Sequence, residues 1–125
     1  MPLVTINFFP PDDPKVITTM LEDIRDSGSK TLGCSPDNIW VIFQPVKSGY
    51  YIQGNEVTTQ ARETTHPPVV IIRAQSGRSP TEREKFAESV AAAVGRGLSV
   101  KSKNVWIHYQ EMSPKDVWFD GHWSG

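Results

Sequence analysis

A single cysteine, Cys34, stands in a chain of 125 residues. An intramolecular disulfide is thereby excluded, and with it the small secreted scaffolds that depend on several bridges. Charge of one sign is lacking too, since 13 basic residues face 14 acidic ones for a formal net charge of -1. That balance offers neither the basic stripe of a nucleic-acid binder nor a polybasic surface for anionic membranes. No apolar run comes near the roughly 20 residues of a membrane span. The opening MPLVTINFF has neither the basic start nor the long apolar stretch of a signal peptide. The three histidines, His66, His108 and His122, are scattered, and Asp116, Asp120 and His122 form no metal-ligand pattern. The chain is therefore expected to be cytoplasmic and a single domain, with no metal or other cofactor and no nucleic-acid or membrane partner.

What the chain does contain is a repeat. Shifting it by 66 positions lays NIWVIFQ (Asn38 to Gln44) over NVWIHYQ (Asn104 to Gln110). The same gapless offset puts Pro2 on Pro68, Pro14 on Pro80 and Leu32 on Leu98, and lays LVTI at Leu3 over VVII at Val69. One constant offset that aligns both ends and the middle implies two copies of one unit. Repeat 1 is placed at about 2–54, a linker at about 55–67 and repeat 2 at about 68–125, all within one domain.

Each copy reads strand, helix, strand. Leu3 to Phe9, Ile39 to Phe43, Val69 to Ala74 and Val105 to Tyr109 are rich in β-branched and aromatic residues. Asp13-Pro14 opens the first helix as N-cap and first-turn proline, and Val16, Ile17, Met20, Leu21 and Ile24 follow on one face. Ser79-Pro80-Thr81-Glu82 opens the second as a capping box, with Ala87, Val90 and Val94 in a stripe and Phe86 beside it. Gly33 and Gly97 are expected to stop the two helices in equivalent places. So long a crossover demands parallel pairing within each unit. The predicted fold is α/β (α+β): a tandem β-α-β repeat making a four-stranded sheet with two helices on one face. The other face needs cover, and oligomerisation supplies it.

Several residues carry chemical potential. Pro2 follows the initiator Met1, whose removal would expose a secondary amine. An apolar pocket and a nearby guanidinium both disfavour the charged form of an amine, which would suit it to act as a general base or iminium former. Pro2 also suits the plain start of a strand. Arg78 lies beside free helix N-terminal amides, a seat for a carboxylate, or is an exposed loop arginine. Arg73 reaches a cleft or pairs on the surface, and His108 lines a pocket or serves as a sheet residue. Cys34 has no evident base and reads as inert. Trp118, Phe119 and Trp123 read as packing, with a secondary role as an apolar pocket wall.

Pro2, the β-α-β unit, Gly77-Arg78-Ser79 ahead of a helix, and Val105 to Tyr109 running into Gln110-Glu111-Met112 together resemble the tautomerase superfamily, in its 4-oxalocrotonate tautomerase-like form. The duplicated length is similar to fused tautomerases, cis-3-chloroacrylic acid dehalogenase and malonate semialdehyde decarboxylase. NVWIHY at Asn104 with Glu111-Met112 resembles the dehalogenase, and DVWFDGH at Asp116 resembles the decarboxylase tail. The resemblance implies a homotrimer of two-unit chains and a catalytic Pro2, with Arg78 holding the carboxylate of a small substrate. In the first copy Asp12 stands where Arg78 stands in the second, and Pro68 matches Pro2 but has only an amide nitrogen.

Departures from those relatives are equally visible. Gln75 stands where the dehalogenases have a second arginine, and Phe119 where they have a water-activating glutamate, with Asp116 and Asp120 nearby. His108 replaces their tyrosine, and Asn38, next to Asp37, replaces the decarboxylase's aspartate. Trp40 and Trp106 occupy the place of an arginine of single-unit tautomerases. The expected function is an isomerase using Pro2 and Arg78 on a small keto- or enol-carboxylate, with Arg73, Gln75, Asn38 and His108 contacting substrate. A lyase (hydratase, dehalogenase or decarboxylase of a three-carbon acid) and a non-catalytic trimeric binding protein are the alternatives.

Overall fold

The structure, a computed structural model, describes residues 1–57 and 65–125. In the first copy, β1 (Leu3–Phe8), α1 (Pro14–Leu32) and β2 (Trp40–Pro45) are followed by a hairpin of β3 (Ile52–Gln53) and β4 (Glu56–Val57). The second copy repeats this with β5 (Val69–Gln75), α2 (Pro80–Leu98), β6 (Trp106–Met112), and a hairpin of β7 (Trp118–Phe119) and β8 (His122–Trp123). The two helices and the two hairpins each start and stop 66 residues apart. Of the stretch expected as linker, residues 58–64 lie outside the described residues.

The caps explain the helix starts. Asp13 accepts from the Lys15 amide at 3.0 Å, and Ser79 with Glu82 forms the complete capping box. Gly33 ends α1 in the left-handed conformation, at φ 65°. The expected stop at Gly97 is corrected: α2 runs on to Leu98, and the left-handed cap is Ser99, which is the true counterpart of Gly33. Gly97 sits inside the helix because α1 crosses close by. A Cβ there would lie 2.9 Å from Met20 Cβ. In the buried stripe of α2, Val90 and Val94 are buried as expected, together with Phe86, Ala93 and Leu98, while Ala87 is only half-buried.

The sheet is mixed, in the order β2-β1-β5-β6. Pairing is parallel within each copy, as so long a crossover requires, and antiparallel between β1 and β5 at the centre. Thr5 and Ile71, equivalent positions of the two copies, face each other across that central pair. A local two-fold axis therefore passes between them. One face of the sheet, with Val4, Ile6, Phe8, Val70 and Ile72, packs under both helices against Met20, Ile24, Phe86, Val90 and Val94. The other face presents Trp40, Ile42 and Trp106 to the outside, respectively 41%, 46% and 52% exposed. For a chain of this size, an open apolar sheet face is a surface prepared for burial.

Candidate active site

The central antiparallel pair decides which residues meet. It brings the start of β1 alongside the end of β5, so that the N-terminus of the first copy faces the loop that opens α2 of the second. Gly77, at φ 106°, turns that loop in a conformation that glycine adopts without strain. Arg78 then reaches back across the fold. Its Nη1 donates to the main-chain oxygen of Leu32 at 2.7 Å, and the Glu82 carboxylate lies 3.8 Å away.

The chain-terminal amine sits at the rim of an apolar cavity of about 160 Å3. Met1, Leu3, Trp40, Gln75, Met112 and Phe119 form most of its wall, with Val117, Trp118 and Ser124 completing it. Trp40 and Phe119 meet edge to face, with ring centroids 5.5 Å apart. Burial, and then the guanidinium of Arg78, hold the Met1 amine below its ordinary value of 8.0, opposed by Cys34. Both leading causes penalise the charged form. Cys34, read as inert, therefore lies within electrostatic reach of the amine. Pro2 itself is fully buried, and its carbonyl accepts from the Trp40 amide at 3.0 Å, continuing the β1–β2 ladder.

The sequence-predicted residues divide into three groups. Gln75 stands in the cavity wall with Met1, and Arg78 lies within electrostatic reach of the Met1 amine that precedes Pro2, while neither Arg78 nor Pro2 is itself part of that wall. Arg73 lies directly across the ladder from Leu3 on the same face as Gln75, but is not itself part of the cavity wall. Asn38 and His108 do not line it. Asn38 ends an exposed 3-10 turn before β2, and His108 lies on the open sheet face, its ring 6.2 Å from that of Trp106.

The hairpin that closes the cavity was missed as an element. Its signal is nonetheless in the chain: Gly54-Asn55 and Asp120-Gly121 are two-residue hairpin turns 66 positions apart, with Gly54, Asp120 and Gly121 at positive φ. Trp118 and Phe119 thereby enter the wall, as their secondary reading allowed.

No protein-family model matches the sequence, and no curated protein matches it either. Among solved structures, a fused 4-OT termed F6, an asymmetric trimer, superposes with a TM-score of 0.86 at 9% identity, covering 98% of this chain and 95% of that one. A member of the cis-3-chloroacrylic acid dehalogenase family gives 0.75 at 16% identity, over 98% of this chain and 83% of that one. Malonate semialdehyde decarboxylase gives 0.72 at 14% identity, over 96% and 91%. The chain has the fold that these tautomerase-superfamily structures share.

Proposed function

We propose that the protein is an enzyme that transfers a proton within a small keto- or enol-carboxylate, with the Pro2 amine as general base. The observation that carries this reading is the Met1 amine, which immediately precedes Pro2 beside an apolar cavity and whose charged form is disfavoured by burial and by Arg78, surroundings that the Pro2 amine would inherit. Excision of Met1 passes the terminal nitrogen to Pro2 and vacates the share of the cavity that Met1 fills. A neutral secondary amine takes a proton from the enol hydroxyl, or from the acidic C–H of the keto form, and returns it to the other end of the conjugated system. Arg78 holds the substrate carboxylate and balances the charge of the enolate. Gln75 offers its amide to the substrate carbonyl, and Arg73, paired in register with Leu3 of the wall, supplies a second cation. For Asn38 and His108, substrate contact is proposed only across a subunit boundary, since neither lines the cavity of its own chain.

The assembly proposed is a homotrimer in which the open sheet face is covered by neighbouring copies, in keeping with the trimers formed by the fused 4-OT structures. Among the described residues, the cavity wall contains no carboxylate. A water molecule there has no base other than the amine, which favours proton transfer over hydration. The test is an NMR titration of the Pro2 nitrogen, after mass spectrometry has verified that Met1 is gone. A value well below the ordinary amine range, together with turnover of enol–keto acids such as phenylenolpyruvate, supports the reading. A value at or above that range overturns it, favours an acid or iminium role, and turns attention to lyase chemistry.

A further inference from the structure

A second cavity, of about 540 Å3, is more than three times the size of the one at the amine. It is the counterpart of that site under the local two-fold. Met1, Leu3, Trp40, Val117 and Phe119 of the N-terminal cavity correspond, at the 66-residue offset, to Pro67, Val69, Trp106, Tyr51 and Gln53 of this one. In each case the hairpin of one copy closes over the first strand of the other. The chemistry differs, because Pro68 has an amide nitrogen with no useful basicity and Asp12 replaces the arginine.

What stands at the second cavity instead of an amine is an imidazole. His66, two residues ahead of Pro68, is fully buried and lines the cavity together with Thr65. Its backbone is left-handed, at φ 50°, and its amide donates to Gln53 Oε1 at 2.7 Å. Tyr51 packs edge-on against the ring with centroids 5.0 Å apart. Nε2 lies 2.9 Å from the Glu56 carbonyl oxygen, so Nε2 carries the hydrogen and Nδ1 of the neutral ring is an acceptor. Among the described residues, neither His66 Nδ1 nor Thr65 Oγ1 has a hydrogen-bond partner. Buried polar atoms are rarely left so, and two of them beside one cavity point to a missing partner.

We propose that this second cavity binds an uncharged small molecule that carries a ring and one O–H or N–H donor. Its volume falls in the range of about 300–1,000 Å3 usual for small-molecule sites. Tyr51 and Trp106 give it aromatic walls, and Val69 and Val100 add aliphatic surface. Among the described residues that line it, none is Arg, Lys, Asp or Glu, so among these an anion finds no counter-charge to offset the loss of its hydration. The donor of the ligand goes to His66 Nδ1, while Thr65 Oγ1 meets a second polar atom or the same one. The two halves are thus divided, with charged substrates at Pro2 and Arg78 and neutral ones at His66.

The probe is 4-methylphenol, titrated into the uniformly 15N-labelled protein. The Trp106 indole N–H, the Thr65 and Val69 amides and the His66 ring nitrogens are followed. Saturable shifts at these positions are expected, with the largest ring change at Nδ1. Toluene, which lacks the donor, binds at least tenfold more weakly, and Val100→Phe, which pushes a ring into the cavity, weakens 4-methylphenol at least tenfold. Should Val100→Phe fail to fold, the comparison of the two probes on the wild-type chain decides alone. Binding in a form that retains Met1 is unchanged, which separates this site from the activity proposed for Pro2. Shifts confined to Trp40 and Trp118, equal affinity for toluene, or no saturable shift because water or a neighbouring subunit fills the space would each overturn the proposal.

Discussion

Arg78 Nη1 donates to the main-chain oxygen of Leu32 at 2.7 Å, so an arginine ahead of α2 is held by the last residue of α1. Carbonyls at a helix C-terminus lack intrahelical partners and carry partial negative charge, which makes them natural acceptors for a guanidinium. The contact fixes the cation of the second copy on the side of the amine of the first. The two copies of the repeat are joined by this bond as well as by the central strand pair.

Removing that guanidinium should affect binding, catalysis and the amine together. Arg78→Ala is expected to lower kcat/KM on a carboxylate substrate by about 100-fold or more and to raise the pKa of the amine. The lost hydrogen bond costs about 1 kcal/mol of stability. Arg78→Lys keeps the charge but not the planar fork, so it restores the amine shift more fully than the rate. Steady-state kinetics and an NMR titration of each variant check this, and an amine unmoved in Arg78→Ala contradicts it.

The amine also predicts the pH dependence. The Met1 amine lies below the ordinary 8.0 in the folded chain, and the same burial and guanidinium are expected to act on Pro2 once Met1 is removed, so between the two values the unfolded chain binds more of this proton than the folded one. The contribution to stability is full above about 8, declines as pH falls through the window, and levels off below the folded-state value. Urea unfolding from pH 5 to 9 measures the slope, which should be shallower in Arg78→Ala. In the rate, kcat/KM should rise with pH to a plateau with its midpoint below that of an ordinary amine. A rate that falls as pH rises assigns the amine as an acid.

Gly97 is a test of the helix packing. By helix propensity alone, Gly97→Ala would stabilise α2 by about 1 kcal/mol. The added Cβ would lie 2.9 Å from both Cβ and Sδ of Met20, and Met20 Cβ cannot swing away. Separating the helices makes the variant less stable by about 1–3 kcal/mol net. Thermal or urea denaturation decides the sign.

The open sheet face predicts the assembly. Ile42 stands on that face, paired in register with Thr5, and is 46% exposed in the single chain. Ile42→Lys should leave the chain folded, because nothing in the helix-side core changes, while preventing burial of the face. Light scattering is expected to report three chains for the wild type and one for the variant. A variant that still assembles as three shows that the trimer contact lies elsewhere.

The legible part of the chain followed from local chemistry repeated at a fixed offset. Asp13-Pro14 and Ser79-Pro80 announced the helix starts, because capping is settled within a few residues. Gly97 misled because glycine serves both as a helix stop and as a point of close approach, and only the position of Met20 distinguishes them. The hairpins escaped because strands of two residues show no alternation, though their turn residues repeat at 66.

The sequence by itself determined two β-α-β copies, their parallel pairing, the helix N-caps and an amine and a guanidinium in different copies, since each rests on composition and spacing within one unit. The tertiary structure decided which of these meet. Antiparallel pairing of β1 with β5 set the start of one copy against the end of a strand in the other. It thereby placed Arg78 near the amine, crossed the hairpins over, and left the imidazole of His66 beside the second, larger cavity. Such contacts span some 66 residues of chain, and only the packing of the two copies about their local axis specifies them.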